Sequence, residues 1–202
     1  ETQHRLRPGP EYYIQEGIWT PEEKTVVVWG EDTDWGRSFG GAIGRQFTAA
    51  GWTVLSEEWF PIDQTEFYGL LNRINDTNPA VFAGTAAAPP AISSLVKQAD
   101  EIGLKSLLIA DALGWVGEWY DLTGASSDYV LDQIPAWATD EAKQWATDFE
   151  ARFGIKPSPS AAGQSYDMTN FFIKLAQRTL EKHGELTSET LYEVGQSELW
   201  TG

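Results

Sequence analysis

A strand that stops at a glycine and enters a helix through an acidic turn constrains this chain most: Thr25-Val26-Val27-Val28-Trp29-Gly30-Glu31-Asp32-Thr33-Asp34-Trp35-Gly36-Arg37. The β-branched run before Gly30 reads as a buried strand, and Phe39, Ile43, Phe47 and Ala50 then recur at helical spacing. A strand buried on both faces and followed at once by a helix belongs in a parallel sheet. Ligands of open α/β sheets collect at the carboxyl ends of the strands, so the turn that displays Trp35 is the first candidate for a binding surface. Taken locally, the same residues also fit an ordinary strand-to-helix turn with Asp34 near the helix N-terminus.

The pattern then alternates. A second strand is expected over 53–59, after Gly51 ends the first helix. Phe67, Leu70, Leu71 and Ile74 mark an amphipathic helix that stops before Asn78-Pro79. A third strand over 80–84 is followed by a helix marked by Ile92, Leu95, Val96, Ala99 and Ile102, and a fourth strand covers 106–110. Strands separated by helices in this way predict an α/β fold with a doubly wound parallel sheet. Residues 1–19 form an irregular lead-in with a short helix around Tyr12 to Ile18. Past Ala110 the spacing predicts a short helix over 115–122 and a further strand over 129–134. Three helical patterns follow with no strands of their own, and they carry wide apolar faces such as Phe171-Phe172. The two prolines in 155–160 suggest a linker.

Composition narrows the chemistry. With 14 Lys and Arg against 30 Asp and Glu, the net charge of −16 disfavours a nucleic-acid backbone or an anionic membrane surface as partner. There is no cysteine, and His4 and His183 are the only histidines, so thiolate sites, His-based zinc sites and a Ser-His-Asp triad have almost no material. No apolar run approaches the length of a membrane span. Gly36, Gly40, Gly41 and Gly44 lie inside the helical pattern instead of opening directly off the strand, so they read as close helix packing and not as a dinucleotide fingerprint. Glu31, Asp32 and Asp34 resemble a fragment of a calcium loop, but its later ligands do not follow, and a solvated acidic turn is expected. No metal and no cofactor is expected.

Asp111 is the more informative acid. It falls just after the fourth strand, at the sheet edge that also carries Trp35 and Thr85, so an indole, a hydroxyl and a carboxylate converge there. A carboxylate so placed can hold a ligand ammonium, although a helix-capping role fits the local sequence equally. The small residues of Thr85-Ala86-Ala87-Ala88 let a ligand or another backbone approach closely. Ten tryptophans suit either core packing or an indole-lined cleft.

The order of these pieces resembles a known family. The segment from Lys24 through Gly36 is similar to the turn that begins the second lobe of type 1 periplasmic binding proteins, nearest to the solute receptors of branched-chain amino-acid ABC transporters. Gly51-Trp52-Thr53-Val54, Asn78 to Gly84, Val96-Lys97-Gln98-Ala99, Gly103-Leu104-Lys105 and Pro157 to Asp167 agree with it. The resemblance implies a flavodoxin-like three-layer lobe over 20–137, with 138–202 forming a crossover and helices that pack toward a first lobe outside this sequence. It further implies an extracytoplasmic, non-enzymatic receptor, periplasmic or extracellular, with or without a lipid anchor, that delivers a small ligand to an ABC permease. By position, Trp35 stands where the family usually has a ligand-packing tyrosine, Thr85 and Ala86 lie in the cleft-facing loop, and Asp111 lies near the acid that binds a ligand ammonium, with Trp115 in reach of the same space. Tryptophan at 35 and the lack of aromatics in 86–88 shift the expected ligand from leucine-like toward a bulkier amino acid-like or aromatic carboxylate. A sensing ectodomain of a signalling receptor, and an enzyme on a flavodoxin-like sheet, are the alternatives.

Overall fold

The structure is a computed structural model that describes residues 9–111, 119–132, 137 and 139–198. The chain divides into two compact units, Glu1–Gln133 and Ile134–Gly202, each taken by itself.

The first unit is built on four parallel strands, β1 (Thr25–Glu31), β2 (Thr53–Phe60), β3 (Val81–Thr85) and β4 (Leu107–Asp111), in the order β2-β1-β3-β4. Helices α1 (Gly9–Gln15), α2 (Asp34–Ala49), α3 (Tyr68–Thr77) and α4 (Pro89–Glu101) surround them. Period-two alternation along β1 sorts its side chains. Val26 and Val28 face the cluster holding Phe47 of α2, and Val27 and Trp29 face the cluster holding α3 and α4. Helices on both sheet faces make this the expected doubly wound α/β sheet. Each large side chain withdrawn fully from water, as Trp29, Phe67 and Phe82 are, contributes about 1.5–3 kcal/mol. Close approach adds a constraint at Gly84, the register partner of Trp29. A Cβ there would lie 2.0 Å from the Trp29 carbonyl oxygen and 2.4 Å from indole Cδ2.

All four strands end later than the sequence pattern suggests, with β2 closing at Phe60 and β4 at Asp111. β1 continues through Gly30 to Glu31, and β3 begins at Val81 and ends at Thr85. Pairing decides this, because Gly30 is the register partner of Thr85, and Thr85 that of Asp111. Thr85 and Asp111 are therefore terminal strand residues, not the first residues of loops.

Of the strand expected over 129–134, the described residues 129–132 hold a single bridge, and the rest lies outside the described residues. Ile109 pairs with Leu131, with hydrogen bonds from Ala110 N–H to the Leu131 carbonyl (2.9 Å) and from Leu131 N–H to the Leu108 carbonyl (3.0 Å). A tight turn precedes it. Val130 N–H donates to the Ser127 carbonyl at 3.1 Å, Asp128 is extended at φ −60° and ψ 131°, and Tyr129 has φ 67°. That is a type II turn with tyrosine at the position that ordinarily needs glycine. Of the helix expected over 115–122, α5 (Trp119–Thr123) is described, and the rest of that segment lies outside the described residues.

The second unit comprises α6 (Asp140–Phe153), a π turn (Pro159–Gly163), α7 (Gln164–His183) and α8 (Ser188–Gly195). Thr139 caps α6, and Thr187 forms a capping box with Thr190 at α8. Gly154 and Gly184, at φ 73° and 75°, close α6 and α7 in the left-handed conformation. Trp137, Phe149 and Tyr166 gather around Trp145 with ring centroids 5.0–5.5 Å from it. The two-proline stretch 155–160 lies within this unit, where Ser158 caps the π turn and Pro159 opens it. On α7, Met168, Phe172 and Leu180 of the expected apolar face are exposed, and Phe171 is half-buried.

Candidate functional site

The carboxyl ends of the strands form one continuous row. Trp59 on β2, Gly30 on β1, Thr85 on β3 and Asp111 on β4 are successive register partners, so their side-chain positions share one sheet face. The row crosses the point between β1 and β3 at which the order of connections reverses, the place where open α/β sheets leave a crevice.

On the β4 side, Thr85 Oγ1 donates to Asp111 Oδ2 at 3.2 Å. Thr85 is fully buried, so its hydroxyl orients the half-buried Asp111 carboxylate and does not itself meet solvent. Ala86 is likewise buried. Asp111 borders a small cavity of about 80 Å³, whose other walls include Gly9, Pro10, Phe39 and Ile43.

On the β1 side, the turn into α2 is built by its cap. Thr33 Oγ1 accepts the Gly36 N–H at 3.0 Å, a bond worth about 1 kcal/mol to the helix end. Thr33 is thus the capping residue, and Asp34 is the first residue of the helix, where its charge meets the positive end of the helix dipole. Trp35 follows, about half exposed, its ring stacked on Phe39 at 5.2 Å and 29°. Phe39, on which Trp35 stacks, also walls the cavity that Asp111 borders.

On the β2 side, the Trp59 ring lies against two glycines, where a Cβ would come within 2.8 Å at Gly30 and 2.7 Å at Gly40. Arg37 lies over that ring at 5.2 Å, and its Nε donates to Asp32 at 2.5 Å. The hydrogen bond from Arg37 holds the Asp32 carboxyl below the ordinary aspartate range and pushes the guanidinium higher still. Gly36, Gly40 and Gly44 are buried and pack closely, as the spacing suggested, but Gly41 faces only Arg45 of its own helix.

The acidic turn differs from expectation at one residue. Asp32 and Asp34 are exposed, whereas Glu31 is only 2% exposed. Its Oε1 accepts the Thr33 hydroxyl at 3.0 Å and its Oε2 accepts the Ala87 N–H at 2.8 Å. The period of β1 carries the signal that sequence reasoning passed over. Val27 and Trp29 point into the core, so the next residue of that parity, Glu31, does so as well.

Of the five sequence-derived site residues, the structure links Thr85 to Asp111 directly, while Trp35 stacks on Phe39, which walls the cavity beside Asp111. Ala86 is buried in the same loop, and Trp115 lies outside the described residues. Among the described residues, no three His, Asp or Glu side chains are grouped to hold a metal ion, and no helix is long and apolar enough to cross a membrane.

A family model described as periplasmic binding protein matches residues 11–196. No curated protein matches the chain. Among solved structures, an ABC transporter substrate-binding protein from Sphaerobacter thermophilus is similar at a TM-score of 0.74 and 21% identity, over 97% of this chain and 53% of that one. A leucine binding protein from Thermotoga maritima gives 0.70 and 20%, over 90% and 50%. The solute binding protein of an ABC transporter from Rhodopseudomonas palustris BisB5, in complex with 3,4-dihydroxybenzoic acid, gives 0.68 and 22%, over 91% and 49%. The chain therefore spans about half the length of the solved structures it resembles, and at these identities the likeness establishes the fold.

Proposed function

The chain belongs to the periplasmic binding protein family, and we propose from this that it forms one lobe, with adjoining helices, of an extracytoplasmic solute receptor serving an ABC importer. The ligand is a small amino acid-like or aromatic carboxylate, held against the carboxyl edge of the sheet when a second α/β lobe closes over it. One lobe supplies only one wall of such a cleft, and the second lobe supplies the other. The receptor passes the closed form to a permease and performs no chemistry on the ligand.

One observation carries the reading. The half-exposed Trp35, stacked on Phe39, leads into a cavity edged by Asp111, whose carboxylate Thr85 orients. An indole surface supplies desolvated contact, and a carboxylate with a fixed hydroxyl donor supplies orientation toward an ammonium or hydroxyl group. Similar folds whose ligands are leucine and 3,4-dihydroxybenzoic acid bracket the ligand size.

The test is a thermal-shift screen of the receptor carrying both lobes, with leucine, phenylalanine, tryptophan and 3,4-dihydroxybenzoate, and with tryptophan fluorescence read in parallel. A ligand at one hundred times its Kd stabilises the folded state by roughly 2.7 kcal/mol through mass action, so a true binder gives a clear shift. A compound that raises Tm and changes the fluorescence supports a closing receptor. Failure of all four, followed by turnover of any of them, would sink it.

A further inference from the structure

We propose that Glu31 is a positioning residue of this site: its buried carboxylate ties the loop after β3 to the turn that presents Trp35, so that the two loops keep one geometry. The inference rests on the receptor reading for its purpose, but the coupling itself is a property of the chain.

Three observations converge on it. Glu31 is 2% exposed, and a buried carboxylate is costly unless hydrogen-bonded, so its contacts are structural commitments and not incidental surface bonds. Its two oxygens serve different segments. Oε2 accepts from the Ala87 N–H, 56 residues along the chain, and Oε1 accepts from the hydroxyl of Thr33. The same Thr33 oxygen accepts the Gly36 N–H, so an unbroken chain of hydrogen bonds runs from Ala87 through Glu31 and Thr33 to the first turn of α2. Trp35 sits inside that turn. The turn also wraps tightly on the glutamate, since a Cβ at Gly36 would fall 2.1 Å from the Glu31 carbonyl oxygen and 2.7 Å from its Cγ.

The consequence is mechanical. Ala87 is exposed on its side-chain side while its N–H is held inward, so the loop after Thr85 cannot shift without breaking the bond to Glu31. A displacement there reaches Thr33, and with it the helix end that carries Trp35. Glu31 touches no ligand in this scheme. It fixes the distance between two surfaces that do.

The chemistry also specifies a rescue. A hydroxyl can donate or accept, so in Glu31→Gln the amide oxygen can take the Ala87 N–H while the amide NH2 donates to Thr33. Glu31→Ala removes the acceptor shared by the Ala87 N–H and the Thr33 hydroxyl. The experiment uses the full chain labelled with 5-fluorotryptophan, with the Trp35 resonance assigned by its loss in Trp35→Phe, and with amide exchange followed at Ala87. Glu31→Ala is expected to move or split the Trp35 fluorine signal and to speed Ala87 exchange at least tenfold, with amides of Val26 to Val28 unchanged. Glu31→Gln should stay within threefold of the parent. Should Glu31→Ala not fold, Thr33→Val and Thr33→Ser replace it. Loss of the hydroxyl should speed exchange at the remote Ala87 at least threefold, and serine should restore it, which a purely local helix cap would not do.

The inference is overturned if these variants leave Ala87 and Trp35 unchanged, if every amide accelerates alike, or if Gln behaves as Ala. Binding of 3,4-dihydroxybenzoate and phenylalanine to the two-lobed receptor separates the two levels. Absence of binding by the parent protein counts against the receptor reading alone, since the coupling is read without ligand. Equal affinity of parent and Glu31→Ala for a compound that does bind overturns the positioning role alone.

Discussion

Thr85 Oγ1 and Asp111 Oδ2 meet at 3.2 Å, between residues that are also register partners at the ends of β3 and β4. The hydroxyl is buried and the carboxylate half-buried, so the bond is made where water competes poorly. Thr85→Val keeps the shape and removes the donor. It should lower the unfolding free energy by about 1–2 kcal/mol, read from the urea midpoint, with an unchanged denaturant slope. A midpoint equal to the parent's would mean that the hydroxyl does not hold Asp111.

Trp35 is half exposed and its ring stacks on Phe39. Trp35→Ala should therefore cost at most about 1 kcal/mol of stability, since the ring is not part of the core. Affinity for any ligand found in the screen should fall at least tenfold, measured by calorimetry on the proposed two-lobed receptor. Unchanged affinity would remove Trp35 from the site.

Two glycines make opposite predictions. Gly84→Ala sets a methyl against the backbone of Trp29, which cannot move without breaking the β1 to β3 pairing, and should cost about 3 kcal/mol or more. Gly41→Ala meets only the flexible end of Arg45 at 3.4 Å, in the interior of α2, and should gain about 0.5–1 kcal/mol. Paired thermal melts decide both.

Tyr129 has φ 67° with its side chain 94% exposed. The left-handed conformation costs a residue with a Cβ about 1–2 kcal/mol, and this ring has little packing to lose. Tyr129→Gly should raise stability by about 0.5–1 kcal/mol once the larger entropy loss of glycine is subtracted. A destabilised variant would show that the ring makes a contact that its exposure does not reveal.

The Asp32 and Arg37 pair sets a pH dependence. Asp32 titrates below the ordinary aspartate range, first through the hydrogen bond from Arg37. A depressed folded-state pKa means that the ionised carboxylate adds stability above the unfolded-state pKa, and that this stability is lost as pH falls through the folded-state value. Both groups are exposed, so the effect is small and salt-screened. NMR titration of the Asp32 carboxyl should show the depression in the parent protein and its disappearance in Arg37→Gln.

Much of the first unit was legible in the residues alone. The β-branched run at Val26 to Val28 and the apolar spacing of α2, α3 and α4 depend on local periodicity, and periodicity is carried by the chain itself. So were the neighbourhood of Trp35 and the edge position of Asp111, because a strand that enters a helix places its end residues at one side of the sheet. What the tertiary structure decided were the relations between segments distant in sequence. Strand order β2-β1-β3-β4 put Thr85 beside Asp111 and turned an expected loop residue into a buried strand end. The Ala87 N–H reached Glu31 across the β1 to β3 pairing and drew a residue from an acidic turn into the interior. Within 129–132, the described part of an expected strand, the turn at Tyr129 precedes a single bridge at Leu131. The sequence by itself determined which elements form, because backbone propensity and side-chain period act over a few residues. Which side chains share a face, and which polar atoms lose water, follow from pairing register, and register is fixed only when segments far apart in the chain meet.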